Sequence, residues 1–483
     1  MTAAAPQPLW SSEEVVAATG GRATSAFRAT GVSIDSRTMS PGDLFVAIVG
    51  PNSDGHDYVA DALRKGAAGA VVQRRSAGLA ADAPLVETVD TLEALRGLGA
   101  AARARGRARV VAVTGSVGKT GTKEALRLVL SSQGATTASE GSLNNHWGLP
   151  LSLARMPRDA RFGVFEMGMN HPGEILPLSR LARPHVAVIT TIAAVHSAHF
   201  DNERQIADAK AEIFAGMMAD GFAVLNRDNE FYEHLAASAA AQAGCRVLGF
   251  GRHPQADVRL LSAELGGDGS LVRAAVLGEH LAYRVAVAGE HWVLNSLAVL
   301  AVVHALGADV KSAARSLAQF QAPAGRGRRQ SLPCSGGTFL LIDESYNASP
   351  VSVIAALAVL GRVEPGRDGR RIAVLGDMLE LGSDSGMRHA ALAEPLIAAG
   401  VDLVFTAGSR MDRLWEALPS SLRGGRAADA GALRASISAA VRPGDVVMVK
   451  GSHGSRMELV VAALKSLGGV AEASLPLCAV SGG

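Results

Sequence analysis

The stretch that decides the fold is Val111-Ala-Val-Thr-Gly-Ser-Val-Gly-Lys-Thr120, an apolar run that passes into a glycine-rich turn. Behind it, Lys123 to Leu130 carries the apolar spacing of a helix lying on a core. A strand that turns through glycines into a helix aims backbone N–H groups at an anion, and the helix adds the positive end of its dipole. Thr114, Gly115, Ser116, Val117 and Gly118 would then line a triphosphate. Lys119 would reach its β- and γ-phosphates, and the Thr120 hydroxyl would coordinate Mg²⁺. The nucleotide on this reading is ATP or GTP, and a strand-to-helix turn with no ligand is the plainer alternative. Only Ser116 and Val117 separate Gly115 from Gly118, so the loop is shorter than the Walker pattern.

From this turn onward, short β-branched runs alternate with helical patterns: Phe162 to Glu166, His185 to Thr191, Arg371 to Leu375, Asp402 to Thr406 and Asp445 to Val449. Such alternation predicts α/β architecture with largely parallel sheets. Two arginine-rich segments with glycine, Arg103 to Arg109 and Pro323 to Arg329, read as seams or as charged surface turns. Taken as seams, they divide the chain into 1–108, 109–323 and 324–483. The expectation is a small α/β first domain, a central mostly parallel phosphate-loop sheet flanked by helices, and a Rossmann-like α/β third domain. Val258 to Val287 reads as irregular strands with glycine-rich turns.

Composition sets the outer bounds. A chain of 483 residues has room for roughly three domains, and 48% apolar residues supply several cores. A net charge of +2 gives no sign of a polycationic nucleic-acid binder. Cys245, Cys334 and Cys478 stand far apart, unlike a disulfide framework or a zinc site, which fits a reducing compartment. Met1 to Trp10 lacks the pattern of a secretory leader, and Leu297 to Leu306, interrupted by His304, is too short to span a bilayer. A cytoplasmic protein, expected as a monomer without nucleic-acid partner or membrane insertion, follows.

The shortened loop, Thr-Gly-x-x-Gly-Lys-Thr, resembles that of the Mur ligases, which use ATP to build the peptide of bacterial cell-wall precursors. Ser33-Ile-Asp-Ser-Arg37, Pro41 to Ile48 and Asp54-Gly-His56 are similar to the family's nucleotide-sugar-binding first domain. Leu143-Asn-Asn145, Gly148-Leu-Pro150, Glu166 to Asn170, Ala209 to Ile213 and Gly289-Glu-His291 with Asn295 resemble its central domain. Asp343 to Pro350, Gly376 to Gly382 and Val449 to Ser452 resemble its third, in the branch that adds D-alanyl-D-alanine. Gly121, Ser142 and His146-Trp147 depart from the usual pattern.

What the resemblance implies is an ATP-dependent amide ligase of the EC 6.3.2 type, joining D-alanyl-D-alanine to UDP-N-acetylmuramoyl-tripeptide through an acyl phosphate, with two Mg²⁺ ions expected. Lys119, His196, Lys210 and Arg326 would be catalytic. Thr120, Glu166, His196 and a carbamylated Lys210 would hold metal. His291, Asn295, Asp343, Tyr346 and Asn347 would meet the nucleoside, while Ser36, Arg37, Asp54, Gly55, His56, Asn144 and Asn145 would meet the sugar-nucleotide substrate. Residue chemistry alone leaves plainer roles open. Lys210 reads as a solvated helix lysine, Arg326 as a linker arginine, and His196 as a structural hydrogen-bond donor. A ligase with another acceptor, such as the third-residue or folate polyglutamyl ligases, and a nucleotide-binding switch are the competing functions. The third-residue ligase lacks support from a D-N-P-R string, which is absent here, and the folate ligase starts close to the phosphate loop, unlike this chain.

Overall fold

A computed structural model describes residues 8–194, 200, 202–241 and 244–469. Its strands build three principal sheets, each covered by helices, together with a two-stranded ribbon of Trp10–Ser11 and Arg28–Ala29. The first sheet has five strands in the order Arg22–Ala23, Leu85–Glu87, Gly69–Val72, Asp43–Val46 and Gly31–Ser33. It is parallel except at the Arg22–Ala23 edge.

Seven parallel strands form most of the central nine-stranded sheet. Their order is Thr136–Ala138, Phe162–Glu166, Arg109–Thr114, Val186–Ile189, Phe222–Asn226, Arg246–Gly251 and Val258–Leu265. Parallel strands buried on both faces need apolar residues throughout, and every residue of Phe162–Glu166 is buried. Helices Lys119–Ser131 and Glu290–Ala305 cover one face, and Gly148–Ala154, Ile175–Ala182, Glu203–Ala211 and Tyr232–Ala240 cover the other. The chain runs from Arg109–Thr114 to one side of that strand and later returns to Val186–Ile189 on its other side. The order reverses there, and a crevice opens at the carboxyl ends of the two strands.

Segment 258–287 differs from the irregular strands expected of it. Val258–Leu265, Ser270–Val276 and Glu279–Val285 form an antiparallel meander that extends the central sheet, with a single register shift between Leu260 and Ser262. Alternation in Ser270–Val276, with every second residue buried, is the signature that the surrounding glycines obscure. The phosphate-loop helix also begins at Lys119, a turn earlier than the apolar spacing marks, because its first turn is small and polar. Helix Glu290–Ala305 is buried nearly all round, which accounts for its apolar run, and no helix among the described residues is long and apolar enough to cross a membrane.

The third sheet runs Arg328–Cys334, Gly337–Glu344, Val446–Lys450, Arg371–Gly376, Leu403–Ala407 and Arg423–Ala427. Only its first pair is antiparallel. Helix Pro350–Gly361 starts cleanly because Ser349 caps it and proline occupies the first turn. Between the first two domains, the Trp10 indole donates to the Ala154 carbonyl at 2.9 Å, and Trp147 packs on the first domain's core.

His185 shows how the central sheet registers pH. Its Nδ1 accepts from the Val110 N–H at 2.9 Å, which requires a neutral ring. Burial, then Arg103, Arg109 and Arg183, push its pKa down to about 4. The unfolded ring takes its proton first, so this contribution is complete above pH ~6.5 and declines as pH falls from there toward 4. Thermal unfolding of His185→Gln is expected to show a shallower loss of Tm between pH 7 and 5 than the parent, together with a lower Tm at pH 7.

Candidate active site

The phosphate turn closes on Thr190. Gly115 has φ 142° and Gly118 φ 87°, both in the region that favours glycine. A Cβ on Gly115 would overlap the Thr190 hydroxyl, which donates to the Val117 carbonyl at 2.5 Å. A Cβ on Gly118 would meet the Asn295 amide at 3.1 Å. The turn is thus held from beneath by the neighbouring strand end and from the side by helix Glu290–Ala305. Ser116 adds a bond to the Ala193 carbonyl at 3.0 Å.

At the helix start, the Thr120 hydroxyl donates to Glu166 Oε2 at 2.7 Å, and Asn144 Nδ2 donates to Oε1 at 2.8 Å. Glu166 is 1% exposed, so this carboxylate is fixed at the end of its strand between a hydroxyl and an amide. Oxygen donors of this kind suit Mg²⁺, which retains waters on its remaining positions. Among the described residues no group of three or more His, Cys, Asp or Glu converges. His196 lies outside the described residues.

Two lysines bear on the charge of the site. Lys119 donates to the Gly115 carbonyl at 2.8 Å, and its pKa is lowered by burial, with Glu166 opposing and Arg326 adding to the effect. Lys210 is 2% exposed, and burial followed by the charge of Lys119 drives its pKa well below the ordinary value. A third, Lys123, is fully buried but serves structure, binding the Ser139 and Gly141 carbonyls at 2.6 and 2.8 Å and pairing with Glu124 at 2.9 Å. Residue chemistry along the chain does not separate Lys123 from Lys210, since both lie on helices among small residues, and only the family resemblance singles out Lys210.

Across from the loop, the third domain supplies the other wall of a cavity of about 840 Å³. Arg326 stacks over the Tyr346 ring at 4.2 Å and lines this cavity with Asn347, His291 and Asn295. The His291 pKa is lowered, mainly by burial. Asp343 behaves differently from its neighbours: its carboxylate accepts from the Gly325 and Ser345 N–H groups at 3.3 and 3.2 Å and from the Ser345 hydroxyl at 2.6 Å. It braces the turn that presents Arg326, while Glu344 reaches the cavity wall. Sequence reasoning assigned no role to Lys450, which binds Glu344 at 3.2 Å and the Asn347 carbonyl at 3.0 Å and also lines the cavity. Its place in Val449 to Ser452 was the available signal.

The first-domain residues form a separate network. His56 is buried, its Nδ1 lies 2.6 Å from Asp54, and its Nε2 accepts from the Gln73 N–H at 2.9 Å. Although burial opposes it, the His56 N–H and Arg74 hold the Asp54 pKa down at about 2. Gly55 has backbone of Ala47 and Ile48 within 2.8 Å of where a Cβ would stand. Arg37 pairs with Asp35 at 2.7 Å on the surface, and the Ser36 carbonyl accepts from Lys65 at 2.9 Å. None of these five lines the main cavity, whereas Asn144 and Asn145 do. Asn145 also caps the turn into helix Gly148–Ala154 through the Gly148 N–H at 2.9 Å.

A phosphate-binding turn at a sheet's switch point, faced by cations from a second α/β domain, is the arrangement of a nucleotide-dependent ligase. Residues 113–303 match the Mur ligase middle domain, 327–453 the Mur ligase glutamate ligase domain, and 28–103 the Mur ligase family catalytic domain. The UDP-N-acetylmuramoyl-tripeptide–D-alanyl-D-alanine ligase of Escherichia coli is 34% identical over 90% of this chain and 94% of its own. That of Rickettsia prowazekii is 30% identical over 94% and 99%. Among solved structures, MurF from Acinetobacter baumannii aligns with a TM-score of 0.82 at 28% identity, covering 96% of this chain and all 100% of that one. The MurF ligase of Thermotoga maritima in complex with ADP aligns at 0.75 and 26% identity, over 91% and 98%. This chain belongs to the Mur ligase family.

One departure from the family's usual pattern has a steric cause. A Cβ on Gly121 would come within 2.6 Å of two Trp292 ring carbons. Gly121→Ser is therefore expected to lower stability by about 1–3 kcal/mol through overpacking, and combination with Trp292→Ala to relieve part of the strain. Denaturant unfolding of the two single variants and the double variant checks the coupling.

Proposed function

We propose that this chain joins D-alanyl-D-alanine to UDP-N-acetylmuramoyl-tripeptide with hydrolysis of ATP, giving the pentapeptide precursor, ADP and phosphate. The observation that carries the reading is the meeting of Lys119, from the phosphate turn, with Arg326, from the third domain, on one cavity whose groups feel each other's charge. In this reading the chain works as a cytoplasmic monomer with domain boundaries near 108 and 323.

Amide formation in water is uphill, so the tripeptide carboxylate must first become a good acyl donor. Its oxygen attacks the γ-phosphorus, the bond to the β-phosphate oxygen breaks, and ADP leaves. Two anions approach in that step, and fixed positive charge offsets their repulsion. Lys119 and Arg326 supply it from opposite walls, and the backbone N–H groups of Gly115 to Gly118 hold the polyphosphate. The dipeptide amine then attacks the acyl carbon, a C–N bond forms as phosphate departs, and the amine loses a proton. His291 and Asn295, one helical turn apart, and Tyr346 and Asn347 are placed to hold the nucleoside. Asp343 supports that wall from behind, and Ser36, Arg37 and the Asp54–His56 turn form the first domain's surface for the uridine diphosphate portion.

The residues present fit Mg²⁺ through Thr120 and Glu166, with His196 as a further ligand. When bound, Mg²⁺ would neutralise phosphate charge. Lys210 suits carbamylation because burial favours its neutral amine, the form that attacks carbon dioxide with loss of a proton. The resulting anion would complete a second metal site.

With all three substrates and Mg²⁺, mass spectrometry is expected to find the pentapeptide product, and none when any component is omitted. Lys119→Ala should lower kcat by about 10²–10³-fold while leaving the fold intact; ligation at the parent rate would sink the assignment. Supplied with ¹³C-bicarbonate, the protein should give a carbamate carbon signal that Lys210→Ala lacks.

A further inference from the structure

His389 has no exposed surface and takes no part in the steps derived above. It lies on the short helix Ser385–Ala390, beyond the turn that leaves strand Arg371–Gly376. Both ring nitrogens are engaged: Nδ1 donates to the Ser385 carbonyl at 2.6 Å, and Nε2 accepts from the Met378 N–H at 3.0 Å. A carbonyl only accepts and a backbone N–H only donates, so Nδ1 must carry the proton and Nε2 a lone pair. The partners therefore require a neutral ring in its Nδ1–H tautomer. Burial lowers the ring's affinity for a second proton; the Ser385 carbonyl and Asp377 oppose that effect, and Arg410 adds to it.

What the imidazole holds is a piece of the cavity wall. Met378 is followed by Leu379, Glu380 and Leu381, all of which line the main cavity. Glu380 has φ 62°, a conformation that a residue other than glycine keeps only when its surroundings impose it. Two successive N–H groups anchor the turn just ahead of that point, each to one side chain. Met378 donates to His389 from behind, and Leu379 donates to the Ser452 hydroxyl at 2.9 Å. Ser452 in turn donates its own N–H to the Asp377 carbonyl at 3.0 Å and its hydroxyl to the Ala348 carbonyl at 3.2 Å. The turns after three strands of the third sheet are thus tied together, and His389 fastens the outer one. Met378 is fully buried, so without the imidazole its N–H would lack an acceptor and the turn would shift to find one.

We propose that His389 is a positioning residue for ligation, a neutral Nδ1–H imidazole that clamps the Met378 N–H and so keeps Leu379 to Leu381 in place on the cavity that Lys119 and Arg326 share. The proposal rests on the ligase reading above and adds a residue that touches none of the reacting groups. Because it acts through one accepted hydrogen bond, a side chain that accepts at the same point should replace it. Glutamine carries its amide oxygen about as far along the side chain as Nε2 lies. Asparagine is shorter, and its amide can serve the Ser385 carbonyl in place of Nδ1 without reaching Met378.

The test uses the full-length enzyme and two readouts. In protein labelled with ¹⁵N-histidine, the ring signals that disappear in His389→Gln should show a protonated Nδ1 and a bare Nε2 at neutral pH. The opposite tautomer, or a charged ring, would overturn the proposal, and this reading holds whether or not any loss variant folds. For turnover, His389→Asn should lower kcat roughly 10-fold, the scale of one buried N–H left without an acceptor. Its Kd for ADP, measured by calorimetry, should stay at the parent value, because the phosphate turn belongs to the central domain and a general loss of structure would weaken both. His389→Gln should recover most of the lost kcat. If His389→Asn turns over as the parent does, or if His389→Gln is no better than His389→Asn, the positioning role is wrong although the ligase reading stands. If the parent itself makes no ligation product, the ligase reading fails, and the ring's tautomer still reports on the clamp.

Discussion

Positive charge gathered where water is scarce is the constraint on which the remaining architecture depends. Desolvation lowers the proton affinity of both Lys119 and Lys210; the charge of Lys119 adds to the effect at Lys210, and that of Arg326 adds to it at Lys119. Cations in low dielectric carry a desolvation penalty unless an anion offsets it. Glu166 opposes the effect at Lys119 but is itself tied to Thr120 and Asn144. A polyphosphate, whose charge is negative and whose oxygens accept many bonds, is the ligand for which such an imbalance is complementary.

Rigid packing beneath the site makes this charge arrangement durable. Strand ends on either side of Arg109–Thr114 provide Glu166 and Thr190, and both are locked by hydrogen bonds to the turn or to its first helical residues. Helix Glu290–Ala305 lies against the phosphate-loop helix, with Trp292 filling the space above Gly121 and Asn295 beside Gly118. The ring of Trp292 also contacts Phe320, which ties this wall to the chain leading toward Arg326. Distances within the site are therefore set by contacts that do not depend on solvent-exposed loops.

The third domain contributes through braces as much as through its exposed groups. Asp343 commits its carboxylate to the turn carrying Arg326, and Tyr346 lies under that guanidinium. Lys450 joins Glu344 to the Asn347 carbonyl, so the segments on which the wall depends are cross-linked. In the first domain, Asp54 and His56 do the equivalent for Gln73 and Arg74. Buried polar groups of this kind hold geometry because leaving any partner unmade is strongly destabilising.

Much of the architecture was legible in the order of residues because its causes are local. Apolar strand, glycines of positive φ and a following helix are consecutive, so Thr114 to Thr120 announced the phosphate turn, and alternating strand and helix patterns beyond residue 109 announced α/β architecture with largely parallel sheets. The meander at 258–285 was hidden by its glycines, since a half-buried strand shows only alternation and the turns interrupt it. Tertiary structure alone decided which polar residues are buried and which way they turn. It separated Lys210, driven toward neutrality, from Lys123, satisfied by two carbonyls and a carboxylate, and it turned Asp343 away from the cavity that Glu344 faces. Those outcomes depend on desolvation and on partners distant along the chain, and neither quantity has a value until the sheets have packed.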